Sequence, residues 1–213
     1  MICLQRKKTV SQKLDQVRSL SGMVMGLSPI IRAFEQSGIP YYIGGSLASV
    51  VYGIARATIG VALVAGIETY HVDLLKTRPQ DEYYIDEMMI AEAIEHGSSF
   101  NLIHLETSIK IDVFMPADEL YPSTAMDRRR MDTLSEERTS AKFFFSSKED
   151  IILHKLQRYE AGGRVSERQW LDVLGVIKVQ ADSLDKGYLK HWSKELVVFE
   201  LLQGAFRDSG VAL

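Results

Sequence analysis

The sequence is short of several things, and each shortage excludes something. It has one cysteine, Cys3, so no internal disulfide forms and a reducing cytoplasm fits. Neither charge dominates: 28 acidic and 25 basic residues leave a formal net charge of −3, which gives no global pull toward nucleic acid and leaves local basic patches open. No apolar run approaches the roughly 20 residues of a membrane-spanning helix. The opening Met1–Lys8 carries its charge after a very short apolar piece, unlike a secretory leader. Internal repeats and low-complexity tracts are lacking too. What is present is an ordinary globular composition, 46% hydrophobic and 25% charged over 213 residues, enough for one large domain or two small ones.

The chain is organised around Tyr41 to Ala65. An apolar run, Tyr41-Tyr42-Ile43, ends in Gly44-Gly45-Ser46; a short helical pattern, Leu47–Tyr52, follows; Arg56-Ala57-Thr58 leads into a second apolar run ending at Val64. This reads as strand, tight turn, helix and buried central strand. Glycines let a backbone approach a ligand closely, and a helix N-terminus offers N–H groups to phosphate. An ordinary strand–turn–helix connection is the plain alternative. Gly60 inside the second strand is unusual, because glycine packs nothing there.

Around this centre, apolar spacing predicts a helix over 11–36, stopped by Gly38-Ile39-Pro40. A helix over 68–78 follows the second strand, with His71 and Asp73 on its solvent surface. A short strand over 83–85 and a helix over 87–95 come next. The runs 100–105 and 109–115 suggest an antiparallel hairpin. In the second run Ile111 and Val113 share one face, and Lys110 and Asp112 the other. Asp112 is either an outward-facing residue or a functional carboxylate, since a carboxylate in an apolar strand needs a partner. Arg128-Arg129-Arg130 after a Pro122-Ser123 turn reads as a solvated face rather than a phosphate contact. From Ser146 the pattern is helical: Ser146-x-x-Glu149 and Ser166-x-x-Gln169 read as capping boxes, followed by helices over 184–192 and 194–207. The boundary falls there: an α/β domain over 1–145, and a helical C-terminal part over 146–213 packed on it.

The order Gly-Gly-Ser, short helix, Arg-x-Thr and apolar strand resembles the nucleotidyltransferase superfamily, with the fold of polymerase beta. In particular it resembles the minimal nucleotidyltransferases and the AbiEii-type toxin branch of toxin–antitoxin systems. The resemblance implies an α/β (α+β) fold with a small mixed β-sheet flanked by helices. It implies a cytoplasmic protein that moves NMP from an NTP to RNA, tRNA included, or to protein, with an antitoxin as partner and no membrane. It assigns Gly44, Gly45, Ser46, Arg56 and Thr58 to the nucleotide, and Asp112, Lys155 and Asp172 to catalysis, Lys155 meeting phosphate charge. The plain alternative for the last segment is two surface helices, with Arg168 and Asp172 as an i,i+4 pair.

One part of the resemblance fails. The family holds Mg2+ on an Asp-x-Asp pair in the second strand, and the matching positions here are Gly60 and Ala62. Strand side chains repeat every two residues, so these positions share a face but bring no oxygens. Asp112 alone would hold the ion weakly, through water and phosphate. The expectation is a chain with little or no transfer activity, whether by natural loss or by engineering, or a pseudoenzyme that binds a nucleotide or a partner. Replacement of the pair by Glu68 or Asp73 is the least favoured alternative.

Overall fold

The computed structural model describes residues 10–54, 60–72, 81–134 and 141–213, with side chains from residue 21 onward. Arg56, Thr58 and Asp73 lie outside the described residues. Seven strands form one mixed sheet: β1 (Tyr41–Gly44), β2 (Gly60–Ala65), β3 (Tyr83–Tyr84), β4 (Ser99–His104), β5 (Lys110–Phe114), β6 (Arg130–Thr133) and β7 (Lys142–Phe145), in the order β3-β4-β5-β2-β1-β7-β6. The pairs β2/β5 and β1/β7 are parallel and the others antiparallel. Eight α-helices are described: α1 (Val10–Gln36), α2 (Gly45–Tyr52), α3 (Glu87–Glu95), α4 (Leu120–Asp127), α5 (Lys148–Ala161), α6 (Glu167–Gln180), α7 (Lys186–Glu195) and α8 (Phe199–Ser209). The expected mixed α/β architecture is what the chain adopts.

The sheet has two unlike faces because strand side chains alternate. Ile43, Val61, Leu63, Ile111, Val113, Phe100 and Leu102 are buried on the face that α1 covers with Leu27, Ile30, Ile31 and Phe34. On the other face Gly60, Ala62, Val64, Asp112 and Phe114 are only partly buried. Helix α5 crosses that face near β1, and a cleft separates α5 and α6 from β2 and β5. Tyr42 of β1, on the open side, stacks against His154 of α5 at 6.3 Å.

Helix α1 has Pro29 inside it, so one backbone donor is missing. The rung below is opened as well. Tyr83 of β3 places its hydroxyl between Ile30 and Gly26, accepting from Ile30 N at 3.2 Å and donating to Gly26 O at 2.6 Å. A side chain has entered the helical ladder, and it ties an edge strand to the helix.

Several expectations need correction. The first helical cap is Ser147, not Ser146: its hydroxyl accepts from Asp150 N at 3.1 Å. Ser166 caps α6 as expected, accepting from Gln169 N. His71 is buried, not on a solvent surface; in a 3-10 turn over Thr69–His71 its Nδ1 accepts from Glu68 N at 2.9 Å. Pro122-Ser123 lies inside α4. Strand β7 was not anticipated. The last helices break at Leu196–Val198, not before Lys194. Arg128 is no solvated residue: it donates to buried Glu149 at 3.1 Å and lies 3.9 Å over the Tyr188 ring.

Candidate functional site

A cleft of about 630 Å3 opens between the exposed sheet face and helices α5 and α6. Its floor is Tyr42 and Gly44 of β1, Gly60, Ala62 and Val64 of β2, and Asp112 and Phe114 of β5. Its far wall is His154, Lys155 and Arg158 of α5 with Arg168 and Gln169 of α6. The bend Gly44-Gly45-Ser46 forms its edge. Residues more than a hundred positions apart in the chain are thus gathered around one space.

The bend is built for close approach. Gly45 sits at φ +61°, a region that disfavours any side chain, and a Cβ there would come within 3.0 Å of the Ala62 Cβ. Gly44 caps α2 with no side-chain hydrogen bond, and the first helix residues, Gly45 and Ser46, stand at the cleft edge. Register places Gly44 beside Ala62, Ala62 beside Asp112 and Gly60 beside Lys110. Asp112 is 40% exposed at its side chain, and its Oδ1 lies 2.8 Å from Lys110 Nζ.

Lys155 is buried and binds two acceptors, Asp172 Oδ2 at 2.7 Å and Gln169 Oε1 at 2.9 Å. The i,i+4 alternative is therefore not the arrangement adopted: Asp172 pairs across helices with Lys155, and Arg168 lines the cleft. Asp172 reaches the cleft through Lys155. Ser146, fully buried on the cleft lining, makes no hydrogen bond through its hydroxyl among the described residues.

Sequence reasoning passed over His154, Arg158, Tyr42 and Phe114. Burial holds the His154 imidazole below its ordinary value of 6.5; Asp150 opposes this and Arg158 adds to it. A neutral ring is therefore wedged between Tyr42 and Tyr121, the latter edge-on at 5.4 Å. Burial, then Asp150, likewise pushes the Tyr42 phenol up, so it stays protonated. Arg158 lies 5.0 Å over the Phe114 ring and bridges helix wall and sheet floor. One signal was legible: His154 and Arg158 share one side of α5 by their i,i+4 spacing.

A magnesium site does not fit these residues. Among the described residues Asp112 is the single carboxylate lining the cleft, and it is engaged by Lys110. No group of three His, Cys, Asp or Glu residues converges among the described residues. Glu68 caps its 3-10 turn and lines a different depression, so it does not supply the missing oxygens.

No family model matches the sequence, and no curated protein matches it. Solved structures do. An antigenic nucleotidyltransferase-like protein from Paracoccidioides brasiliensis is similar over 89% of this chain and 94% of its own, at 16% identity and a TM-score of 0.52. Two other solved proteins are more distant in shape. One is ANT(2")-Ia, solved with adenylyl-2"-tobramycin, at 15% identity over 87% and 97% with a TM-score of 0.49. The other is the lincosamide adenylyltransferase LnuA, at 16% over 73% and 96% with a TM-score of 0.44. The chain has the nucleotidyltransferase fold. Among the described residues no helix is long and apolar enough to cross a membrane.

Proposed function

We propose that this chain is a nucleotide-binding protein built on the nucleotidyltransferase fold, with metal-dependent NMP transfer impaired. The observation that carries the reading is the gathering of the Gly44-Gly45-Ser46 bend and three basic residues, Lys155, Arg158 and Arg168, around one cleft. Backbone N–H groups at the edge and cations on the far wall suit a polyphosphate. The orphan hydroxyl of Ser146 offers one more polar contact. Asp172 is assigned as a positioning residue that fixes the Lys155 ammonium. The in-line attack on an α-phosphate needs positive charge on oxygens where negative charge develops. Gly60 and Ala62 deprive the cleft of the carboxylates that would hold that charge as a metal. The resemblance to the AbiEii-type branch makes RNA, tRNA included, or protein the acceptor class of an active form. An antitoxin is then the partner, and the cytoplasm the compartment.

The test has two arms. Calorimetric titration of the wild-type chain with the four NTPs, with and without magnesium, reads binding. A Gly60→Asp/Ala62→Asp double variant, assayed with labelled NTPs on tRNA and on the protein itself, reads transfer. Among the described residues a Cβ on Gly60 meets nothing nearer than the Lys110 carbonyl at 3.9 Å, so the first change has room at its Cβ. Binding by the wild type and gain of transfer by the variant are expected. Absence of binding defeats the nucleotide reading. Absence of transfer with binding intact defeats the account of the lost metal positions.

A further inference from the structure

Resting on the nucleotide-binding reading, we infer that Lys110 does at this cleft what a metal ion would do, and that the ligand is a nucleoside polyphosphate free of magnesium. Lys110 and Asp112 lie two residues apart on one face of β5, and the Lys110 ammonium touches the Asp112 carboxylate at 2.8 Å. The side chains are 53% and 40% exposed, so both groups meet an incoming ligand. Their register neighbours on β2 are Gly60 and Ala62, which bring no charge and no donor atom from their side chains. Among the described residues, a Cβ on Gly60 beside the ion pair would meet only the Lys110 carbonyl within 4 Å.

Charge decides which form of the ligand this arrangement takes. Among the described residues Lys155, Arg158 and Arg168 line the cleft with one carboxylate, Asp112; Lys110 and Asp172 join that lining through their ion pairs with Asp112 and Lys155. The cleft therefore carries surplus positive charge before any ion enters. A magnesium ion needs a near-octahedral shell of hard oxygens, usually with one or two carboxylates from the protein. Here it would have to displace an ammonium from Asp112 and would find no second carboxylate beside it among the described residues. Magnesium on the polyphosphate also cancels part of the charge that the arginines and lysines attract. Free nucleotide binds better for both reasons. Asp112 competes with the ligand for the Lys110 ammonium.

The experiment is a calorimetric titration with ATP, GTP, CTP and UTP, in EDTA and in excess magnesium at matched ionic strength. It uses the wild-type chain and the variants Lys110→Met, Lys110→Arg and Asp112→Asn. Wild type is expected to bind about fivefold more tightly in EDTA, the size of a partly exposed charge contact. Lys110→Met should bring the two affinities together by weakening the EDTA arm, and Lys110→Arg should keep the difference. Asp112→Asn should tighten binding in EDTA, because a competing anion is gone. Tighter binding in magnesium, or an unchanged ratio in Lys110→Met, overturns this inference and leaves the nucleotide reading standing. No binding of any nucleotide in either buffer overturns both.

Discussion

Replacing Asp172 by alanine strands an ammonium ion. Lys155 is 4% exposed, and its Nζ is held by the Asp172 carboxylate at 2.7 Å and the Gln169 amide oxygen at 2.9 Å. Removing one member of a buried pair leaves the other charge desolvated, which costs about 3–5 kcal/mol. For a chain of this length, each kcal/mol moves the thermal midpoint by about 2–4 °C, so a fall of about 6–20 °C is expected. Removing both charges behaves differently. A Lys155→Met/Asp172→Leu double variant escapes both desolvation costs and should return to within about 2 kcal/mol of wild type. Urea melts of the wild type, Lys155→Met, Asp172→Leu and the double variant close the cycle. If Asp172→Ala costs under about 1 kcal/mol, the pair is solvated like a surface bridge, and the buried cross-helix arrangement is wrong.

Three further outcomes are expected. Tyr83→Phe removes the hydroxyl that serves both Ile30 N and Gly26 O; it should cost about 1–3 kcal/mol in urea, and a neutral result would deny the insertion into α1. Val197 ends α7 in a left-handed conformation, φ +57°, with its N–H on Lys194 O and Val198 N–H on Ser193 O, a closure in which glycine is usual. Val197→Gly should therefore stabilise by about 1 kcal/mol, and a loss of stability would contradict the geometry. His154 is held below its ordinary value, so the unfolded chain binds more protons than the folded one in that window. Its contribution is complete above pH 6.5 and lost as the pH falls below it. His154→Phe should flatten the decline of the urea midpoint between about pH 7 and 5.5; a slope equal to wild type refutes that burial.

Local patterns were legible and distant ones were not. The β4–β5 hairpin and the alternation of Lys110, Ile111, Asp112 and Val113 lie within a few residues of each other, so periodicity showed which side each side chain takes. Strand β7 is four residues long and pairs in parallel with β1, a hundred positions earlier, a contact no local window contains. The cap moved by one residue because Ser146 and Ser147 are adjacent and each stands three positions before an acid, Glu149 or Asp150. Ser146 still pairs with β1, its N–H on Ile43 O, so the helix starts one residue later and Ser147 caps it. Arg128 looked solvated because its partners, Glu149 and Tyr188, come from helices that reach it only in the folded chain. The cleft itself followed from strand geometry: Gly60 and Ala62 had to share a face, and parallel register then set Asp112 beside Ala62. The roles of Tyr42 and His154 could not be read, since their stacking depends on how α5 crosses the sheet.

The most direct test is to map where a nucleotide lands. Backbone amide NMR shifts, followed while wild-type chain is titrated with ATP in EDTA, should move most at Gly44, Gly45 and Ser46 and along residues 154–158 and 168–169. Shifts confined to the groove near Phe199, Phe206 and Arg207, or none at saturating nucleotide, would contradict the account.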